Sequence, residues 1–110
     1  LIEKNKIGIA VKDMSISQII DTTIRNNDIQ IAAYSKNWQY GGGGKVLVEN
    51  SKIFSEINNF VTNGDPENLN RNFDKNFLKQ NSKIELINNQ IKGDVIIKGD
   101  NFLNKDSKTN

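Results

Sequence analysis

The 110-residue sequence has no cysteine, no histidine, one proline and only two arginines. Without cysteine, the chain has no disulfide framework, no thiolate nucleophile and no cysteine-bound metal. Without histidine, it lacks the commonest general base and metal ligand. No apolar run is long enough to span a membrane. We therefore expect a non-enzymatic protein with no cofactor, no metal site and no membrane span within this segment.

Isoleucine, asparagine and lysine dominate what is present, with sixteen, eighteen and thirteen copies. Hydrophobic residues make up 35% of the chain, which supports one modest core and therefore a single domain. The net charge is +2, and the lysines are scattered. Nucleic-acid-binding surfaces normally show a basic stripe with clustered arginine, so we expect no nucleic-acid partner.

The first half of the chain predicts a strand, a helix and a second strand. Apolar and small or polar residues alternate over residues 7–11 and again over residues 29–33, as in half-buried strands. Between them, Ser15 and Gln18 have the spacing of a capping box at a helix start. The predicted helix carries a stripe at helical spacing: Ile16, Ile19, Ile20 and Ile24.

The second half repeats this order with a longer connection. Residues 46–48 predict a third strand, and a second helix begins near Ser51 with Ile53, Ile57, Phe60 and Val61 on one face. Residues 64–82 predict either an extra helix or a partly ordered insertion. Residues 83–97 predict a closing β-hairpin, with turn candidates at Asn88-Asn89 and around Gly93.

Together these elements predict an α+β fold with two amphipathic helices packed between small β-sheets, in the order β-α-β-β-α-insertion-β-β. A single domain would span residues 1–103, with 64–82 as the insertion or extra helix. Residues 104–110 are polar, and we expect them to form a frayed tail.

Candidate partner-binding residues cluster around a glycine run, residues 41–44. Trp38 and Tyr40 either fold back over the edge of the core or contact a partner, since Trp and Tyr are favoured at binding hot spots. The glycine run itself predicts a mobile loop or an engineered linker. The short strand that follows, Val46, Leu47 and Val48, would offer unpaired backbone groups for strand addition.

The predicted element order resembles the short N-terminal periplasmic domain of secretins and TonB-dependent receptors. In that family a strand similar to residues 7–11 meets a helix that opens like residues 14–20. A later strand is similar to residues 44–49, a second helix to residues 53–61, and the last strand to residues 95–97. Related domains occur in type IV secretion lipoproteins and in pilus proteins similar to the toxin-coregulated pilus protein Q.

The resemblance implies a periplasmic, outer-membrane-associated docking or assembly module of a bacterial secretion, conjugation or type IV pilus machine. Its partners would be other envelope proteins of the machine, with self-association in a ring as one form. Two alternatives remain open at this point. One is the signalling domain of a TonB-dependent receptor, and the other is a nucleic-acid-binding α+β domain.

Overall fold

A computed structural model of the chain describes residues 1–13, 15–34, 43–62, 82–99 and 101–109. The described residues form eleven β-strands and no helix, so none of them belongs to a helix that could cross a membrane. The strands are β1 (Ile2–Glu3), β2 (Ile7–Lys12), β3 (Ile16–Ile20), β4 (Thr23–Arg25), β5 (Ile29–Tyr34), β6 (Lys45–Glu49), β7 (Lys52–Thr62), β8 (Lys83–Ile87), β9 (Gln90–Lys98), β10 (Phe102–Lys105) and β11 (Lys108–Thr109).

All pairings between these strands are parallel, and they stack successive turns of the chain on one another. One column of paired residues runs through four turns: Ile9 pairs with Ile31, Ile31 with Phe60, and Phe60 with Ile97. A chain that coils in this way, with each turn contacting its neighbours along one axis, is a parallel β-solenoid.

Each turn of the solenoid, called a coil here, contributes strands to two sheets. Coil 1 contains β1 to β3, coil 2 contains β4 to β6, coil 3 contains β7 and β8, and coil 4 contains β9 and β10. β11 begins a fifth coil. The large, seven-stranded sheet contains β1, β2, β4, β5, β7, β9 and β11, and the small, four-stranded sheet contains β3, β6, β8 and β10.

The α+β prediction is therefore wrong, since both predicted helices are strands. The first is interrupted by Asp21, whose φ of 54° turns the chain from β3 into β4. The second is the long strand β7, which pairs with β9 along most of its length. The predicted hairpin is also wrong, because β8 and β9 lie in different sheets. Isoleucine favours strands, and packing between coils overrides the local helix signals.

The core lies between the two sheets and is built from inward-facing apolar residues of every complete coil. Phe60 of the large sheet and Phe102 of the small sheet meet across it, with ring centroids 5.3 Å apart. The buried cluster consists of Ile9, Val11, Ile24, Ile31, Ala33, Val46, Val48, Ile53, Phe60, Ile84, Leu86 and Ile91. Ile2, Ile19 and Phe102 pack against it and are partly buried.

One corner of the solenoid is formed by aspartate and asparagine residues that adopt positive φ. Asp21, Asn50, Asn88 and Asp106 have φ values between 50° and 55°, and each ends a strand of the small sheet. Asp and Asn tolerate this left-handed conformation better than other residues with a Cβ atom, because their side chains form local hydrogen bonds. The same chemistry thus turns the chain at equivalent points of all four coils.

The residues that follow this corner form a ladder of hydrogen bonds along the solenoid axis. The Thr22 backbone N–H donates to Ser51 Oγ (3.0 Å), and the Ser51 N–H donates to Asn89 Oδ1 (2.9 Å). The Asn89 N–H in turn donates to Ser107 Oγ at 3.0 Å. Each coil therefore satisfies a backbone donor of the coil before it, which is required because Ser51 and Asn89 are buried.

The second half of the predicted glycine loop has a structural role. A Cβ atom on Gly44 would collide with the backbone of Val11 and Lys12 in the neighbouring coil. The Gly44 carbonyl also accepts a hydrogen bond from the Lys83 N–H at 3.0 Å. Gly44 is thus required for close approach of the coils, whereas Gly41 and Gly42 lie outside the described residues.

Gly44→Ala should lower the free energy of unfolding by about 1–3 kcal/mol, because only backbone atoms surround the added methyl group and they must move apart. Chemical denaturation measures this loss. Lys45→Ala is the matched control, since Lys45 is exposed and its replacement should cost less than about 0.5 kcal/mol. Equal losses for the two variants would show that the coils do not approach closely at Gly44.

The structure describes one residue of the predicted insertion and most of the predicted tail. Of the predicted insertion 64–82, only Ser82 lies within the described residues. The predicted frayed tail, 104–110, contributes Asn104 and Lys105 to β10 and forms β11. Its Ser107 Oγ accepts the last hydrogen bond of the corner ladder, so these residues cover part of coil 4.

Candidate protein-binding edge

The strand predicted to add a partner, β6, is not at an edge of its sheet. It pairs with β3 on one side and with β8 on the other. Val46 and Val48 point into the core and are 3% and 0% exposed, whereas Leu47 lies on the outer face and is partly exposed. Trp38 and Tyr40 lie outside the described residues. Of the predicted residues that the structure describes, only Leu47 is placed where a side chain could contact a partner.

The outer face around Leu47 is a mixture of apolar and charged side chains. Leu47 is paired with Gln18 and Glu85 on its neighbouring strands. Glu85 forms an ion pair with Lys83 at 3.5 Å, and Gln18 donates a hydrogen bond to Glu49 at 3.0 Å. These polar side chains already have partners within the sheet, so this face is less suited to protein binding than a surface of unsatisfied groups.

The open end of the solenoid provides a different site, on β9. One edge of β9 is paired with β7 as far as Lys98. On its other edge, β11 covers only Gln90 and Ile91. Among the described residues, no strand pairs with the outer edge of residues 92–98, which is called the open edge here. Its backbone groups are free to bond to a further strand.

Three apolar side chains of the open edge are exposed to solvent. Val95, Ile96 and Ile97 have exposed fractions of 37%, 41% and 45%. Val95 and Ile97 are paired with Asn58 and Phe60, which are fully buried, so both point toward the core. Their exposure arises because described residues of this chain do not cover the last full coil at this point. The open edge therefore combines unpaired backbone groups with exposed apolar side chains that point toward the core.

The position of the open edge is fixed by contacts to β7. Asn58 Nδ2 donates a hydrogen bond to the Lys92 carbonyl at 2.7 Å, and the Lys92 ammonium lies 5.1 Å from the centroid of the Phe54 ring. Gly93, with a φ of 101°, lies against the Ser55 carbonyl, where any Cβ atom would collide. These contacts accommodate the irregular register between Phe54 and Ile57 and hold the edge in place.

The positive-φ corner, which lies at the start of β9, borders a cleft of about 640 Å³ lined by polar residues. Its lining includes Asp21, Asn50 and Asn88 of the positive-φ corner, with Lys52 and Lys108 beside them. Ser51 and Asn89, also in the lining, already bond to the backbone through their side chains. The cleft thus contains one carboxylate, two lysines and amides of the turn, and these do not form an acid–base pair or a nucleophile with a base.

Charged groups elsewhere in the described part of the chain do not form a candidate metal site. The described residues contain no cluster of three or more aspartate, glutamate, histidine or cysteine side chains that could hold a metal ion. At the other end of the solenoid, Arg25 Nε donates to Glu3 Oε2 at 2.7 Å, and this hydrogen bond lowers the pKa of the Glu3 carboxyl. The pair is exposed to solvent and so contributes little to stability.

Sequence reasoning missed the open edge because its availability depends on the order of the coils. Residues 95–97 were correctly predicted as a strand. No local signal distinguishes an inner from an outer strand of a solenoid. Comparison with known proteins adds no assignment: no family model, curated protein or solved structure matches this chain.

Proposed function

We propose that the chain is a non-catalytic protein-binding module that captures an extended strand of its partner at the open edge. The observation that carries this proposal is the coincidence of unpaired β9 backbone with exposed Val95, Ile96 and Ile97. Strand addition gains affinity from main-chain hydrogen bonds, and alternate side chains give specificity. Side chains of the open edge that point toward the core and are exposed among the described residues also favour a partner that covers them.

The predicted role in a secretion, conjugation or pilus machine has weaker support. It came from a resemblance in the order of strands and two helices, and the two helical segments are β3, β4 and β7. The periplasmic location, the envelope partners and the TonB-receptor signalling role stay predictions. The nucleic-acid alternative also stays a prediction, and no feature of the described surface favours it over protein binding.

The test compares two exposed isoleucines on different surfaces. Ile96→Lys places a charge on the open edge and should weaken binding of a captured protein about tenfold, the effect of a hot-spot residue. Ile20→Lys is the matched control: Ile20 is 47% exposed, compared with 41% for Ile96, and is paired with Glu49 on the small sheet. Its affinity should stay within about threefold of the parent.

The partner for this test is recovered from a bacterial envelope extract with the parent chain and is then titrated against each variant. Amide hydrogen exchange provides the second readout, because strand addition should protect those amides of residues 92–98 that point away from β7 when the partner binds. Equal weakening by both lysine variants, or a partner that leaves these amides unprotected, would overturn binding at the open edge.

A further inference from the structure

The open edge has a sequence that is complementary to itself in the antiparallel direction. Ile96 lies at the centre of its last five residues, 94–98. Val95 and Ile97, which flank Ile96, are both apolar, and the next residues outward, Asp94 and Lys98, have opposite charges. If two copies paired antiparallel about Ile96, each Asp94 would face Lys98 of the other copy. Each Val95 would face Ile97 of the other copy.

The side chains in such a pair would also point to matching faces. Directly opposed residues of an antiparallel pair project to the same side of the sheet. Val95 and Ile97 point toward the core in both copies, so their contact would join the two cores. Asp94, Ile96 and Lys98 alternate with them and project outward. The ionic contacts and the Ile96 contact would therefore lie on the outer face.

Asp94 and Lys98 are available for these contacts. Both are exposed, and neither forms an ion pair with another described residue. Opposite charges on directly opposed residues of an antiparallel pair are favourable, whereas like charges are unfavourable. A parallel pair of two open edges in register would instead place Asp94 against Asp94 and Lys98 against Lys98. The charges therefore select the antiparallel arrangement.

Head-to-tail stacking of copies is blocked by the fifth coil. β11 pairs with the start of β9 in the way that β1 pairs with β4 at the other end of the solenoid. A copy that continued the solenoid would have to place its own β1 where Lys108 and Thr109 lie. A two-fold arrangement about Ile96 does not require this, because it pairs only residues 94–98 of each copy. Two-fold dimers are also the commonest form of closed assembly.

We infer that the partner captured at the open edge is a second copy of this chain, and that the two copies form a two-fold symmetric dimer through antiparallel pairing of β9 about Ile96. This inference rests on the proposed function, for which it names the partner. Because the interface is isologous, each Asp94–Lys98 contact occurs twice.

The first experiment exchanges the charges. Lys98→Asp converts both ionic contacts to like-charge contacts and should weaken dimerisation about tenfold, and Asp94→Lys should do the same. The double variant Asp94→Lys/Lys98→Asp restores opposite charges and should return the dimer to within about threefold of the parent. Lys45→Asp and Asp28→Lys, which make the same charge changes at exposed sites elsewhere, are the controls. Sedimentation velocity between about 1 and 500 μM gives each dissociation constant.

The second experiment tests the register with single cysteines, since the chain has none. Ile96→Cys places two thiols directly opposite each other across the two-fold axis, within the separation that a disulfide requires. With oxidised glutathione it should form a covalent dimer rapidly. Val95→Cys alone should cross-link slowly, whereas an equimolar mixture of Val95→Cys and Ile97→Cys should cross-link rapidly. Ile20→Cys, exposed on the small sheet, gives the rate of random collision.

A parent chain that stays monomeric over this range, or a double variant no better than the worse single variant, would overturn the dimer. Cross-linking of Ile96→Cys no faster than that of Ile20→Cys would do the same. These failures are distinct from failure of the proposed function. A monomeric chain that still captures another protein, and loses it on Ile96→Lys, would refute self-pairing and retain binding at the open edge.

Discussion

Ile24→Asp should unfold the chain, whereas Ile20→Asp should leave it folded with a loss below about 1 kcal/mol. Ile24 is fully buried between Ile2 and Ile53 of the adjacent coils, so an aspartate there would be an unpaired charge in the core. Such a substitution costs more than about 4 kcal/mol, a large share of the stability of a small domain. Thermal and urea denaturation followed by circular dichroism measure both variants.

The two variants distinguish a helix from the solenoid, because Ile20 lies four residues before Ile24 on the same stripe of the predicted helix. A helix would bury both side chains and lose similar stability in both variants. In the solenoid, Asp21 turns the chain between them, and Ile20 is 47% exposed on β3. Its small expected loss includes repulsion between the new aspartate and Glu49 on the neighbouring strand. Equal large losses would contradict the strand assignment.

Asn58→Ala should lower the free energy of unfolding by about 2–4 kcal/mol, because the buried Asn58 side chain connects three coils through one buried and one partly buried hydrogen bond. Its Oδ1 accepts from Gln30 Nε2 at 2.7 Å, and its Nδ2 donates to the Lys92 carbonyl at 2.7 Å. Alanine leaves the buried Gln30 amide without this partner and also removes the partly buried bond to the Lys92 carbonyl. Since the Lys92 carbonyl belongs to the open edge, the amides of β9 should also exchange hydrogen faster in this variant.

Asn59→Ala is the matched control at the adjacent residue. Asn59 Nδ2 donates to the Asp28 carbonyl at 2.9 Å in an exposed position, where water can replace the lost bond. We expect a loss below about 1 kcal/mol and no change in β9 exchange. Urea denaturation gives the two free energies. Losses of the same size at both positions would show that the buried amide chain does not connect the coils.

The sequence predicted many of the strands correctly but not their arrangement. Alternation over residues 7–11, 29–33 and 46–48 corresponds to β2, β5 and β6, and residues 95–97 lie in β9. Alternation is a local property of half-buried strands, so it can be recognised without knowing the partner strand. Pairing is non-local, and the assumption of a hairpin for residues 83–97 placed β8 and β9 in one sheet when they belong to two.

The helix predictions failed because isoleucines four residues apart fit either structure. Ile16 and Ile20 share the outer face of β3, and the turn at Asp21 then places Ile24 inside. The apparent helical stripe is thus the sum of two short strands with a corner between them. Asn88, predicted as part of a turn, does form one, which shows that positive-φ asparagine was the better signal.

The repeat of the solenoid was not recognised because its coils differ in length. Thr23 pairs with Lys52, Lys52 with Gln90, and Gln90 with Lys108, so the separation changes at each step. Coil 2 contains residues 35–42 between β5 and β6, and coil 3 contains residues 63–81 between β7 and β8. Both coils are therefore longer in sequence than the others. A search for a fixed period misses such a repeat, although the corner residues and the polar residues after them recur in each coil.

The parallel stacking of coils is the central claim, and it is tested most directly by nuclear Overhauser contacts between backbone amide and α protons in the labelled chain. Parallel stacking predicts cross-strand contacts along the column Ile9, Ile31, Phe60 and Ile97, and between Ile24 and Ile53. It also predicts no helical contacts over residues 15–25 or 51–62. A run of contacts between residues three apart in these segments, without the cross-strand contacts, would contradict the solenoid and restore the α+β alternative.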